Sequence, residues 1–244
     1  MIGDPVETSG VMSRLMSVLF PPTCVLCGAP GLMSGGGRDL CPSCAAELPH
    51  NRDCCPQCAV PFVSSMPAGT RCAACQRHPP PFETSLAAFR YEAAIPALVV
   101  GAKFRGRLNL VRVLGQCLAD RVREVDPPRP QVLLPVPLHA SRLRTRGYNQ
   151  ALEIARVVGR DLALPIDHVS CIRIAPTPPQ AGLDERARHR NIRGAFLVPG
   201  VLPWSHVAIL DDVVTTGSTV AEFSRVLRKA GVRRIQVWAV ARTP

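Results

Sequence analysis

Residues 207–221 constrain the fold more than any other stretch of this chain. Val207, Ala208, Ile209 and Leu210 form an apolar run of strand length, followed by two acids, Asp211 and Asp212. Two more apolar residues lead into Thr215, Thr216, Gly217, Ser218 and Thr219, and residues 220–230 then read as a helix stopped by Gly231. A buried strand that ends in carboxylates belongs in an open α/β sheet, where ligands bind outside the carboxyl ends of the strands. A turn of small residues opening a helix collects backbone N–H groups and the positive end of the helix dipole, which suits a phosphate. Gly217 lets backbone come close to a ligand, and the hydroxyls of Thr215, Thr216, Ser218 and Thr219 add donors. Adjacent carboxylates accept hydrogen bonds from vicinal hydroxyls. Together these features suit a ribose 5-phosphate.

The amino-terminal third is a different kind of sequence. Nine of the eleven cysteines lie between Cys24 and Cys75, in two repeated units. Cys24 and Cys27 are followed after thirteen residues by Cys41 and Cys44; Cys55 and Cys58 are followed after thirteen residues by Cys72 and Cys75. Each unit offers four thiolates, enough for one tetrahedral Zn²⁺. With few large apolar residues, residues 21–80 could hardly fold without metal, so the expected role of zinc is structural. Several alternatives stay open: Cys54 in place of Cys55, cross-bracing of the pairs, or a unit without its metal. A redox CxxC is a weaker rival, because no βαβ pattern surrounds these pairs. His50 and His78 are expected to be loop histidines.

The net charge is +11, and the excess is not spread evenly. Residues 1–80 carry five basic and five acidic side chains, and residues 81–244 carry 24 and 13. Of the 29 basic residues 27 are Arg, a side chain that grips phosphate bidentately. No apolar run reaches the roughly 18 residues that span a bilayer. Residues 11–20 lack the basic start and small-residue cleavage site of a signal peptide, and an amphipathic helix is expected there. A cytoplasmic location follows as the expectation, and with it metal binding rather than disulfides.

Pro79, Pro80 and Pro81 read as a stiff linker, which divides the chain into an amphipathic helix at 1–20, a cysteine module at 21–80 and an α/β domain at 82–244. Within the last, strands are predicted at 85–91, 131–135, 165–173, 194–198 and 234–241, with helices at 93–104, 108–125 and 149–163. Such alternation implies a parallel sheet. Arg142, Arg144 and Arg146 crowd a loop on the same sheet edge as the 211–219 turn, where guanidinium groups could neutralise a pyrophosphate. Lys103, one of two lysines, could reach a ligand, but a surface position is the expectation. The polar, charged segment 175–193 is long enough to serve as a lid.

The acid pair followed by Thr-Thr-Gly-Ser-Thr closely resembles the signature of type I phosphoribosyltransferases. With the CxxC pairs, the run Arg146-Gly147-Tyr148-Asn149-Gln150 and the Gln180, Arg186, Arg190 and Asn191 loop, nearly the whole chain resembles the ComF family of competence-associated proteins. That resemblance implies a type I phosphoribosyltransferase fold, an open parallel sheet flanked by helices, preceded by a cysteine-rich double zinc-ribbon module. It implies binding of 5-phosphoribosyl 1-pyrophosphate with Mg²⁺, ribose hydroxyls on Asp211 and Asp212, and the 5-phosphate on 215–219. Arg142, Arg144 and Arg146 would face pyrophosphate, and Arg186 and Arg190 would lie on the flexible catalytic loop. Transfer of phosphoribosyl to a nitrogen acceptor is the implied reaction, and any hood over the acceptor must come from the cysteine module or residues 82–110. A second reading is a non-catalytic binder of this ligand that handles single-stranded DNA or docks a helicase-like partner. The low aromatic content, 5%, argues against a stacking groove.

Overall fold

The computed structural model describes residues 21–32, 37–104, 107–176 and 192–244. The helix expected at 11–20 and the loop residues Gln180, Arg186, Arg190 and Asn191 lie outside them. The chain divides into two compact units, residues 1–48 and 49–244.

In the first unit, bridges Thr23–Pro30 and Leu32–Arg38 frame the Cys24 and Cys27 turn, whose Gly28 N–H donates to the Cys24 carbonyl at 2.9 Å. Helix α1 (Pro42–Glu47) starts on Cys41, whose Sγ accepts from the Cys44 N–H at 3.4 Å. One cysteine thus serves as both a candidate ligand and a helix cap, which explains how so short a helix holds its place.

The second unit carries the other four-cysteine set, the helix α2 (Ala73–Arg77), and a four-stranded parallel sheet. Its strands are β1 (Thr84–Arg90), β2 (Val132–Pro135), β5 (His206–Val214) and β6 (Arg234–Arg242), in the order β1-β6-β5-β2. All three ladders are parallel. The strands are apolar on both faces, as a sheet covered by helices on each side requires. On one face, α7 (Ser218–Lys229) buries Val220, Phe223 and Leu227 against alternate strand residues such as Leu134, Ile209 and Val237. The intervening residues of the strands face α4 (Leu108–Val125), which packs on β1 and β6, and α6 (Gln150–Leu162), which packs on β2 and β5. The outer edge of β1 is not left open. Asn51 N–H donates to the Ala88 carbonyl at 3.0 Å, Arg90 N–H to Pro49 at 2.8 Å and Ser85 N–H to Pro56 at 3.1 Å.

Two predicted strands are cut short. Of 165–173, Ile166 makes one parallel bridge to Leu133 and only Ile172–Arg173 is a strand, β3. Asp167 breaks the run: its Oδ1 accepts from the Val169 and Ser170 N–H groups at 3.2 and 3.0 Å, a local turn that competes with the ladder. The second, expected at 194–198, is β4 (Phe196–Leu197), and it pairs antiparallel with β3 rather than joining the sheet. The arginine loop is instead a short helix, α5 (Ala140–Arg146), capped at its start by the His139 ring and at its end by Gly147.

Helices α4 and α6 meet at Gly115, where an added Cβ would fall 2.7 Å from Cβ of buried Val157. Gly115→Ala should therefore lose up to about 2 kcal/mol of stability in urea titration, overpacking of about 1–3 kcal/mol being offset by a helix-propensity gain of about 1 kcal/mol.

Candidate functional site

The order of the elements explains the site. Strand β5 is buried from His206 through Leu210 and continues through the acid pair, so Asp211 and Asp212 emerge at its carboxyl end partly exposed. The chain then turns through Thr215 and Thr216 into α7, whose cap is Gly217 at φ +79°, a left-handed conformation that a side chain would strain. Gly217 offers no side chain to cap that helix; the Ser218 N–H donates to the Thr216 Oγ1 at 3.4 Å, which leaves the amides of the rest of the first turn for a ligand. Thr216 and Ser218 exchange a 2.6 Å hydroxyl hydrogen bond within the turn.

A pocket of about 730 Å³ opens over this edge. Asp211, Asp212, Thr215, Gly217, Ser218 and Thr219 form one wall, and Arg142 and Arg146 from α5 belong to another. Thr216 turns its hydroxyl to Ser218, and Arg144 is exposed and not part of the pocket lining. Two lining residues were not expected from the sequence. Arg173, in β3, lies over the Phe196 ring at 5.4 Å, and burial brings its guanidinium down to about 10, helped by Arg142 and opposed by Asp211. Lys103, at the end of α3 (Ile95–Phe104), is not a surface lysine. Its Nζ sits 2.7 Å from Oδ2 of Asp212. Burial works against its charge, but Asp212 and then Asp211 raise its pKa on balance. A signal was there to read: Lys103 ends an otherwise apolar helix, where a charged residue needs a partner.

The Arg146–Gln150 run builds this arrangement. Tyr148 donates its hydroxyl to the Ala102 carbonyl, and the Gln150 Nε2 donates to the Lys103 carbonyl at 3.4 Å. Asn149 caps α6 through the Ala151 N–H and donates to the Val136 carbonyl at 3.0 Å. Arg146 donates to the Gln150 Oε1 at 3.0 Å. The run therefore fastens the end of α3 to the start of α6, and with it Lys103 and Arg146 to the pocket.

Asp211 is the least comfortable group there. Burial first, then the neighbouring Asp212, pushes its carboxyl up to about 8, against the pull of Lys103.

The cysteines gather as two sets, Cys24, Cys27, Cys41 and Cys44, and Cys55, Cys58, Cys72 and Cys75, with the sulfurs of each set within 4.8 Å of one another. Cys27 and Cys41 are 3.6 Å apart, and Cys58 and Cys72 3.7 Å, close to the roughly 3.8 Å edge that a Zn–S length of about 2.3 Å gives a tetrahedron. Their ionisation fits a dication as well. Burial opposes ionisation of Cys24 and Cys55, yet backbone N–H groups outweigh it and bring them to about 6 and about 7. In the same sets Cys44 is pushed up by Cys41 and Cys27, and Cys58 to about 11 and Cys75 further by burial and neighbouring sulfurs. Four thiolates form together only around a cation. Cys54 belongs to neither set; its Sγ donates to the Asn51 carbonyl at 3.7 Å.

Residues 15–76 match the double zinc ribbon domain family. The DNA utilization protein YhgH of Salmonella typhi is 33% identical over 228 residues, 91% of this chain and 98% of that protein. Competence protein F of Haemophilus influenzae is 34% identical over 178 residues, 70% of this chain and 78% of that protein. The chain belongs to the ComF family. Its other members here include competence protein ComFC of Streptococcus pneumoniae, 21% identical over 98% of this chain and 97% of that protein. Among solved structures, the glutamine phosphoribosylpyrophosphate amidotransferase of B. subtilis aligns with a TM-score of 0.36 at 17% identity, over 53% of this chain and 26% of that one. A purine phosphoribosyltransferase of Pyrococcus horikoshii aligns at 0.32 and 17%, over 55% and 73%. No helix among the described residues is long and apolar enough to cross a membrane.

Purified protein should carry about two zinc ions per chain by elemental analysis, one for each set. Cys54→Ser should leave that number unchanged, and Cys58→Ser should lower it by one.

The Asp211 shift has a sign that can be checked. Its folded pKa lies above the unfolded value, so it favours the fold below about pH 4 and loses that contribution as pH rises toward about 8. Asp211→Asn should raise stability at pH 8 by about 1–2 kcal/mol, a figure reduced for the partial exposure of the site. The gain should vanish near pH 4, as read from thermal melts across that range.

Proposed function

We propose that this chain binds 5-phosphoribosyl 1-pyrophosphate with Mg²⁺ and transfers the phosphoribosyl group to a nitrogen acceptor, as part of the use of incoming DNA. The observation that carries the reading is a pocket in which the acid pair of β5 and the Gly217 turn into α7 meet Arg142, Arg146 and Arg173. One wall suits a sugar phosphate and the other suits a diphosphate. The family's relatives named for competence and DNA utilization support the cellular role.

In this reading, the α7 amides and the hydroxyls of Thr215, Ser218 and Thr219 hold the 5-phosphate. Asp211 and Asp212 accept hydrogen bonds from the ribose hydroxyls and orient the sugar. The bond from C1 of the ribose to the pyrophosphate oxygen breaks with its electron pair leaving on pyrophosphate, where Arg142, Arg146 and Arg173 receive the developing charge. The acceptor nitrogen forms the new bond to C1 and gives up its proton to solvent. Transfer of this kind needs no side-chain nucleophile. The residues also fit a divalent cation, because two adjacent carboxylates line the pocket, and burial together with Asp212 raises the Asp211 pKa, a shift that a bound cation would oppose. Mg²⁺ bound with the ligand would supply positive charge there and draw electrons from the leaving diphosphate. Arg186 and Arg190 are proposed to join Arg146 in covering the diphosphate.

Calorimetry with 5-phosphoribosyl 1-pyrophosphate and Mg²⁺ should show binding that weakens by about 100-fold or more in the Asp211→Asn, Asp212→Asn double variant, two charge-assisted hydrogen bonds being lost. Unchanged affinity would sink the assignment. Pyrophosphate release that depends on one member of a panel of bases and amines would establish the transfer. Binding with no release against any of them would leave a ligand-binding protein and overturn the enzymatic part.

A further inference from the structure

Arg242, at the end of β6, stands between the second four-cysteine set and the turn that opens α7. Its Nε donates to the carbonyl of Cys58 at 3.1 Å. Its Nη1 donates to the carbonyls of Val214, at 3.4 Å, and of Thr215, and to the Thr243 carbonyl at 2.6 Å. The side chain is 8% exposed. Register reinforces the link: Arg242 lies beside Val214 in the β5–β6 ladder, and Thr243 N–H donates to the Val214 carbonyl at 3.1 Å. One guanidinium therefore touches the backbone of a candidate zinc ligand on one side and the two residues that lead into the 215–219 turn on the other.

We propose that Arg242 is a positioning residue through which the Cys55, Cys58, Cys72 and Cys75 set orders the 214–219 turn, so that the turn keeps its shape only while that set holds its metal. Geometry on both sides of Arg242 supports the linkage. On the turn side it is peptide geometry. In a trans peptide the C=O of one residue and the N–H of the next point to opposite sides. Drawing the Val214 and Thr215 carbonyls toward Arg242 therefore turns the N–H groups of Thr215 and Thr216 away from it and sets the path of the backbone into Gly217. A metal held by Cys55, Cys58, Cys72 and Cys75 would fix the backbone at Cys58, and with it the carbonyl that receives the Arg242 Nε. When the metal leaves, that acceptor is no longer held in place. The cysteine set of residues 49–244 then acts on the sugar-phosphate side of the pocket as a support, at a position where the sequence alone shows only a ribbon and a separate strand.

The linkage can be tested whether or not the turn binds phosphate. Hydrogen–deuterium exchange is followed in peptides covering 213–221, with peptides of β6 as the internal reference. Arg242→Gln, with its zinc content measured, should exchange about tenfold faster over 213–221 while 235–240 stays protected and both zinc ions remain. Arg242→Lys, which keeps the charge but not the fork, should restore part of the protection. Cys58→Ser should give the same local loss as Arg242→Gln, and Cys27→Ser, which empties the set in the other compact unit, should leave 213–221 as in wild type. Equal loosening in Cys27→Ser, or unchanged exchange in Arg242→Gln, would overturn the proposal. Titration with ribose 5-phosphate then separates the two readings. If the turn loosens as expected but wild type binds no sugar phosphate, the linkage stands and the phosphate assignment falls. If wild type binds and Arg242→Gln binds equally well with an ordered turn, the linkage falls.

Discussion

Two adjacent carboxylates at the end of a buried strand are the constraint that the rest of the α/β unit answers. Asp211 and Asp212 follow four residues of β5 that are wholly buried, so the two acids leave the core side by side. Like charges so placed cannot both ionise without compensation. Lys103 supplies one counter-charge directly at 2.7 Å, and Arg146 and Arg173 stand farther round the same pocket. Even so, Asp211 keeps its proton well above the ordinary carboxylate range. Burial rather than a lack of cations holds it there, because the pocket lining sets Lys103, Arg142, Arg146 and Arg173 against the two acids.

Much of what looks like recognition sequence is architecture in service of that pocket. Tyr148, Asn149 and Gln150 make no claim on a ligand through their own hydrogen bonds; they hold the carbonyls of Ala102, Val136 and Lys103. Their effect is to lock three elements whose ends meet at the acid pair. Glu222 does similar work on the opposite face, where its carboxylate receives the Gly194 N–H at 2.9 Å and fixes the chain as it returns to β4.

The two four-cysteine sets are alike in spacing and unlike in surroundings. The first lies in the unit of residues 1–48. The second shares its unit with the sheet, covers the edge of β1 through residues 49–56 and reaches β6 through Arg242. The same metal-binding pattern thus serves once as a small fold in its own right and once as part of the wall of a larger one.

What could be read from the sequence was local in origin. The cysteine spacing, the strand that ends in two acids and the small-residue turn are each specified by neighbours within about twenty positions, and their geometry follows from chain stereochemistry and metal–sulfur distances. The same holds for the alternation of strands and helices that made the sheet parallel. The structure alone decided matters that depend on residues distant in sequence. Lys103 reads as a surface lysine until folding brings the end of α3 to Asp212, 109 positions farther along the chain. Arg173 reads as part of a parallel strand until Asp167 turns the backbone and sends it to β4. The arginine run reads as three equal ligands until the 3.6-residue period of α5 brings Arg142 and Arg146 to one side and leaves Arg144 exposed. Arg242 falls one residue beyond the strand predicted at 234–241, and only folding brings it into β6 and beside Cys58. Local pattern fixes which groups exist; only burial and close approach across the sheet decide which of them share a charge, and that is a property of the packed chain.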